Sequence, residues 1–153
     1  MNHAEIEGLR IAYHHKRPSG LASDKRVIYI HGTGCDGRVF ERHMEVVSSK
    51  HEVVSIDLPG HGGSQGTGFR GVADYAYFVA GLIETLDWGR SVVAGHSLGG
   101  GVALAAALYC STLVEGLMLI DTGARLRVDP LILEHARRVA GGEPVSTANP
   151  RRG

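Results

Sequence analysis

Residues 92–99 read Val92-Val93-Ala94-Gly95-His96-Ser97-Leu98-Gly99, and the reading of this stretch decides the fold. A short apolar run leads into it, and a small-residue helical stretch leaves it and ends near Tyr109. Strand, tight turn and helix is the setting in which G-x-S-x-G forms a nucleophile elbow. The bend is so sharp that the positions two before and two after the serine must be small. Gly95 and Gly99 meet that demand. The serine hydroxyl is then held out at the carboxyl edge of a sheet, beside helix amides that can face a developing oxyanion. By itself the pentapeptide is weak: with 22 glycines in 153 residues, it arises by chance roughly one time in five. Order and context along the rest of the chain carry the reading.

Upstream, Ile6 to His14 alternates loosely and predicts one or two edge strands or a hairpin, with Gly8 near the turn. Arg17-Pro18-Ser19-Gly20 is a loop signal. Val27-Ile28-Tyr29-Ile30 is a continuous apolar run, the form of a strand buried on both faces of a parallel sheet. A glycine-rich loop at 32–37 follows, then a helix with Phe40, Met44 and Val47 on one face. Val53-Val54-Ser55-Ile56 is the next strand, closed by Asp57-Leu58-Pro59-Gly60 and a long glycine-rich loop to Gly71. Val72, Tyr75, Val79, Leu82 and Leu86 trace one face of a second helix. After the elbow, Leu117-Met118-Leu119-Ile120 reads as a fourth central strand ending at Asp121-Thr122-Gly123. Strands alternating with helices imply a mostly parallel sheet flanked by helices, an α/β fold.

Beyond Arg125 the pattern changes. Asp129 as N-cap and Pro130 at the first helical position predict a last helix, stopped by Gly141-Gly142. Residues 143–153 carry two prolines but no apolar period and are expected to be a disordered tail.

Composition narrows the class of function. A chain of this length is one domain or part of one, and its 43% hydrophobic content fits a globular protein. A formal net charge of +0 and a sequence pI near 7.1 leave no electrostatic footprint for nucleic acid or an anionic membrane. Cys35 and Cys110 form neither a disulfide framework nor a metal spacing, so no metal and no cofactor are expected. The polar N-terminus lacks the apolar region of a signal peptide. The longest apolar run, residues 102–110, is short of the ~18 residues a membrane span needs. The expectation is a cytoplasmic protein acting on a small molecule.

Three motifs in order now carry a resemblance. His31-Gly32-Thr33-Gly34, Asp57-Leu58-Pro59-Gly60-His61-Gly62-Gly63-Ser64 and Gly95-His96-Ser97-Leu98-Gly99-Gly100 resemble three loops of the α/β-hydrolase superfamily. In that family they are the oxyanion loop after strand three, the D-x-x-G-x-G-x-S stretch after strand four, and the elbow after strand five. The resemblance covers residues 6 to about 125 and implies the N-terminal part of an α/β-hydrolase core over residues 1–125. Residues 126–142 would then begin the cap or lid, so that the fold is expected to be incomplete.

What the resemblance implies for single residues follows position by position. Ser97 is the nucleophile of an acyl transfer to water from an ester, thioester or carbon–carbon bond substrate; a serine N-cap is the plain alternative. The oxyanion donors are the backbone amides of Leu98 and Thr33, with Gly34 the alternative to Thr33. A serine rather than an aspartate at 97 disfavours the dehalogenase and epoxide-hydrolase branches. His96 adjoins the serine, but neighbours at such a bend point apart, which makes it a poor base. His31 and His61 are expected to brace backbone, Asp57 to pin its own turn, and Cys35 to be a buried thiol. Asp121 closes the strand after the elbow, where some members of the family place the triad acid; the alternative is a cap on the next turn.

The family's base is a histidine after its last strand, and its acid usually follows the penultimate strand. Both are expected to fall beyond residue 153, and His135 on the last predicted helix is expected to be exposed. No general base is therefore assigned in the chain. Without one, turnover in a serine hydrolase falls by around 10⁶-fold, leaving roughly 10³–10⁴ over water. The run 117–120 would also lie at a sheet edge with apolar side chains on both faces, inviting self-association. Two other readings stay open: a non-catalytic descendant that keeps the scaffold for binding, and a perhydrolase or acyltransferase whose histidine comes from a partner chain.

Overall fold

The computed structural model describes residues 1–20 and 25–125, and beyond them Pro130, Leu131, Glu134, Arg137 and Arg138. Those last five are helical and exposed. The expected cap at Asp129, the stop at Gly141-Gly142, His135 and the tail at 143–153 lie outside the described residues.

Two strands, β1 (Asn2–Ile6) and β2 (Leu9–Lys16), form an antiparallel hairpin. Its turn residues Glu7 and Gly8 have φ of 51° and 76°, the pair of left-handed conformations that a two-residue hairpin loop demands. The hairpin begins at Asn2, four residues before the alternation at Ile6 becomes visible. The early residues face solvent and carry no apolar signal. Four parallel strands follow: β3 (Arg26–Ile30), β4 (Glu52–Ile56), β5 (Ser91–His96) and β6 (Val114–Ile120). The sheet order is β1-β2-β4-β3-β5-β6, with β2 antiparallel to β4. Among the described residues β1 and β6 are the edges.

Helices cover both faces. A short 3-10 turn at Gly37–Phe40 leads into α1 (Glu41–Val47), which packs Phe40 and Met44 on Val27, Tyr29, Val53 and Ala94. Tyr29 and Phe40 stack with ring centroids 4.8 Å apart, an arrangement worth more than its area alone. On the other face α2 (Val72–Thr85) and α3 (Leu98–Tyr109) bury Tyr75, Phe78, Val79, Leu82, Val102 and Ala106 against Ile28, Ile30, Val54, Ile56 and Val93. Each large apolar side chain buried in this way contributes roughly 1.5–3 kcal/mol. The buried stripe of α2 differs from expectation at one end: Val72 is 43% exposed. It is the first residue of the helix.

Among the described residues the run 117–120 lies at the sheet edge, as expected where no further strand flanks it, and not at the sheet's centre. It is the C-terminal part of β6, which starts earlier, at Val114, and forms the sheet edge. Leu117, Met118 and Leu119 are 39%, 40% and 45% exposed. β5 covers one side of this strand and nothing among the described residues pairs with the other.

The strand order creates a crevice. From β3 the chain steps to β4 on one side, then crosses back to β5 on the other side of β3. The loops after β3 and β5 therefore leave in opposite directions, and the carboxyl ends of these strands border the site where open α/β sheets bind ligands.

Candidate active site

Ser97 sits between β5 and α3 with φ 52° and ψ −116°. A non-glycine residue there is strained, by an amount of order 1–3 kcal/mol. Such a conformation persists only where its surroundings enforce it, and here they do. The Ser97 amide donates to the Ile120 carbonyl at 3.2 Å, and its own carbonyl accepts from Gly100 N, Gly101 N and the Thr122 hydroxyl at 3.0, 3.3 and 2.7 Å. Glycines let the bend close. A Cβ on Gly95 would overlap the Gly99 carbonyl, and one on Gly99 would overlap the Ile30 carbonyl. The side chain of Ser97 is left half-buried at the sheet's carboxyl edge.

The loop after β3 lies directly against it. A Cβ on Gly32 would stand 3.2 Å from Ser97 Cβ and 3.1 Å from His96 Nδ1. Gly32 to Cys35 form a turn closed by Cys35 N–H to the Gly32 carbonyl at 3.2 Å, with Gly34 at φ 73°. A left-handed third residue is what a type II turn requires, and glycine takes it without penalty. Thr33 and Gly34 are exposed. Leu98 is the first residue of α3, so its N–H has no intrahelical acceptor. Among the described residues no backbone acceptor takes the amides of Thr33 or Leu98. The two expected oxyanion donors thus have no backbone partner among the described residues, one in the loop after β3 and one at the start of α3.

Buried polar side chains anchor the loop after β3 at both ends. At the near end His31 is fully buried; it accepts the Leu58 N–H on Nε2 at 3.0 Å and bonds the Gly32 carbonyl from Nδ1 at 2.8 Å. Burial holds this imidazole below its ordinary pKa, with His61 close by adding to the effect. At the far end Asp57 accepts from Gly37 N at 2.7 Å and Gly63 N at 2.8 Å, while the Ser55 hydroxyl donates to the Gly37 carbonyl. Asp57 therefore does more than hold its own turn: it ties the β4 loop to the β3 loop. His61 bonds the Pro59 carbonyl within the β4 loop. Cys35 is half-buried, and burial raises its thiol pKa, which leaves it a poor nucleophile.

Asp121 is exposed, with φ 44°. None of the hydrogen bonds between described residues joins it to Ser97 or to a histidine. No imidazole is hydrogen-bonded to the Ser97 hydroxyl among the described residues, His96 included. Among the described residues no group of three or more His, Cys, Asp or Glu is arranged to hold a metal, and no helix is long and apolar enough to cross a membrane.

Two contributors escaped the sequence reading. Thr122 holds the Ser97 carbonyl, and Gly100 makes room for it: a Cβ there would collide with the Thr122 side chain. A third glycine after the elbow was the available signal. Its partner, a residue more than twenty positions away, could be found only in three dimensions.

Comparison with known proteins agrees with this architecture. The model of the alpha/beta hydrolase family matches residues 27–152, and the chain belongs to that family. It is 34% identical over 119 residues to a 2-(acetamidomethylene)succinate hydrolase of Mesorhizobium japonicum, which spans 76% of this chain and 42% of that protein. The crystal structure of E-2-(acetamidomethylene)succinate hydrolase superposes with a TM-score of 0.78 at 28% identity, covering 92% of this chain and 51% of the other. A thermophilic esterase from Thermogutta terrifontis gives 0.78 at 26% identity, covering 92% and 53%. The chain thus spans less than half the length of the curated relative and about half of these structures.

Proposed function

We propose that these residues are the nucleophile-bearing half of a serine hydrolase. Ser97 Oγ attacks the carbonyl carbon of an ester-like substrate, and the Leu98 and Thr33 amides receive the oxyanion. The leaving group departs protonated, and water then attacks the acyl-enzyme to release the acid and restore the hydroxyl. The observation that carries this reading is the enforced left-handed conformation of Ser97 with Gly32 packed on it. A plain N-cap serine needs neither. Hydrolases and esterases among the similar proteins support an acyl substrate. Among the described residues no imidazole is hydrogen-bonded to Ser97, and a serine without a general base turns over slowly.

A fluorophosphonate probe tests this directly. Slow covalent labelling of the purified chain at Ser97, abolished in Ser97→Ala, is the expected result. Labelling that survives in Ser97→Ala would overturn it. Complete inertness of the wild-type serine would favour the second reading, a scaffold retained for binding; the specific support for that reading is the lack of any imidazole bonded to Ser97 among the described residues.

A further inference from the structure

We propose that His31 is a positioning residue that fixes the direction of the Thr33 N–H through the peptide plane it shares with the Gly32 carbonyl. A trans peptide is planar, and its C=O and N–H point in opposite directions. Whatever holds the Gly32 oxygen therefore aims the Thr33 hydrogen. Two donors hold that oxygen: His31 Nδ1 at 2.8 Å and the Cys35 amide at 3.2 Å. The imidazole makes the shorter bond.

The protonation state of the ring is set by its partners. The Leu58 amide can only donate, so Nε2 must be an acceptor; the Gly32 carbonyl can only accept, so Nδ1 carries the hydrogen. The β4 loop, through one backbone amide, thus selects the tautomer that clamps the β3 loop. His31 has no exposed surface, and its ring packs 5.1 Å from that of His61. Turning the ring away would lose both bonds. The oxyanion donor is in this way wired to the loop of the neighbouring strand. This inference rests on the serine hydrolase reading for the use made of Thr33, but the clamp itself does not depend on Ser97.

Isosteric variants separate the two halves of the ring. An asparagine amide nitrogen falls where Nδ1 stands and keeps the Gly32 bond; a glutamine oxygen falls where Nε2 stands and keeps the Leu58 bond. The readout is the residual dipolar coupling of the Thr33 N–H, with couplings across the sheet reporting an intact fold. His31→Asn is expected to keep the wild-type Thr33 coupling, and His31→Gln to lose it. Nitrogen-15 shifts of the wild-type ring are expected to show a protonated Nδ1 and an unprotonated Nε2. An Nε2–H tautomer, or an unchanged Thr33 coupling in His31→Gln, would overturn the proposal, since the Cys35 bond would then suffice. If both variants unfold, the tautomer alone decides. Should the Thr33 coupling follow this order while Ser97 never takes the probe, the hydrolase reading fails and the clamp stands. Labelling of Ser97 with a Thr33 coupling indifferent to His31 gives the reverse.

Discussion

Two apolar runs of four residues, Val27-Ile28-Tyr29-Ile30 in β3 and Leu117-Met118-Leu119-Ile120 in β6, look alike as sequence and differ in burial. In β3 exposures are 4%, 0%, 1% and 0%, while in β6 the first three are 39%, 40% and 45%. Both runs have the composition of a strand covered on both faces. β3 has neighbours on each side and helices above and below. Among the described residues β6 has one neighbour. An apolar pattern records what a strand requires; the burial it receives depends on what else is present.

The largest expected effect lies at the crowded centre. Gly95→Ala and Gly99→Ala each force a methyl group into a carbonyl of the elbow or of β3. Each is expected to cost about 3 kcal/mol or to prevent folding, read from urea unfolding midpoints. A wild-type midpoint in either variant would mean that the bend is looser than described.

The two runs can then be compared directly. Ile28→Ala is expected to cost about 3 kcal/mol, within the usual range for a buried isoleucine. Leu119→Ala, at a half-open position, should cost about 1 kcal/mol or less. Equal losses would mean that β6 is covered in solution, and gel filtration across a concentration series would then show a larger species. Leu119→Lys is expected to shift any such species towards monomer.

A smaller effect of opposite sign is expected at the elbow itself. Ser97→Gly relieves the left-handed strain at φ 52° and should raise stability by about 1 kcal/mol while abolishing probe labelling. A loss of stability would show that the conformation carries no strain.

The smallest effect is a pH slope. His31 is buried neutral, with its folded pKa below that of the unfolded chain, which lies near 6.5. The unfolded state therefore binds the extra proton first. The contribution to stability is complete above about pH 6.5 and is lost as pH falls towards the folded value. Asp57, Asp36 and His61 face the ring and act on it with opposing signs. His31→Asn is expected to flatten the stability profile below about pH 6.5, measured by denaturant titration. An unchanged profile would assign the slope to other histidines.

Most of the sheet was legible because buried parallel strands are continuous apolar runs, as Val53-Val54-Ser55-Ile56 and Val92-Val93-Ala94 illustrate. The bend at Ser97 was legible because close backbone approach admits only glycine at Gly95 and Gly99. The start of β1 was not, since an edge strand facing solvent at Asn2 and His3 has no apolar period to read. Nor was the exposure of Val72, the first residue of α2, which helical spacing alone places on the buried face. Asp57 looked like a local turn former; its bond to Gly37 spans two loops and emerges only when β3 and β4 pair. The bond from Thr122 to Ser97 was hidden for the same reason.

That bond has a mechanical consequence. The Ser97 amide and carbonyl are gripped by Ile120 and by Thr122, at the end of the least sheltered parallel strand. A tug on that outer strand is transmitted to the Ser97 backbone without any intermediary. Whatever zips onto the open flank stiffens the serine's mount, and whatever peels it away lets the mount relax.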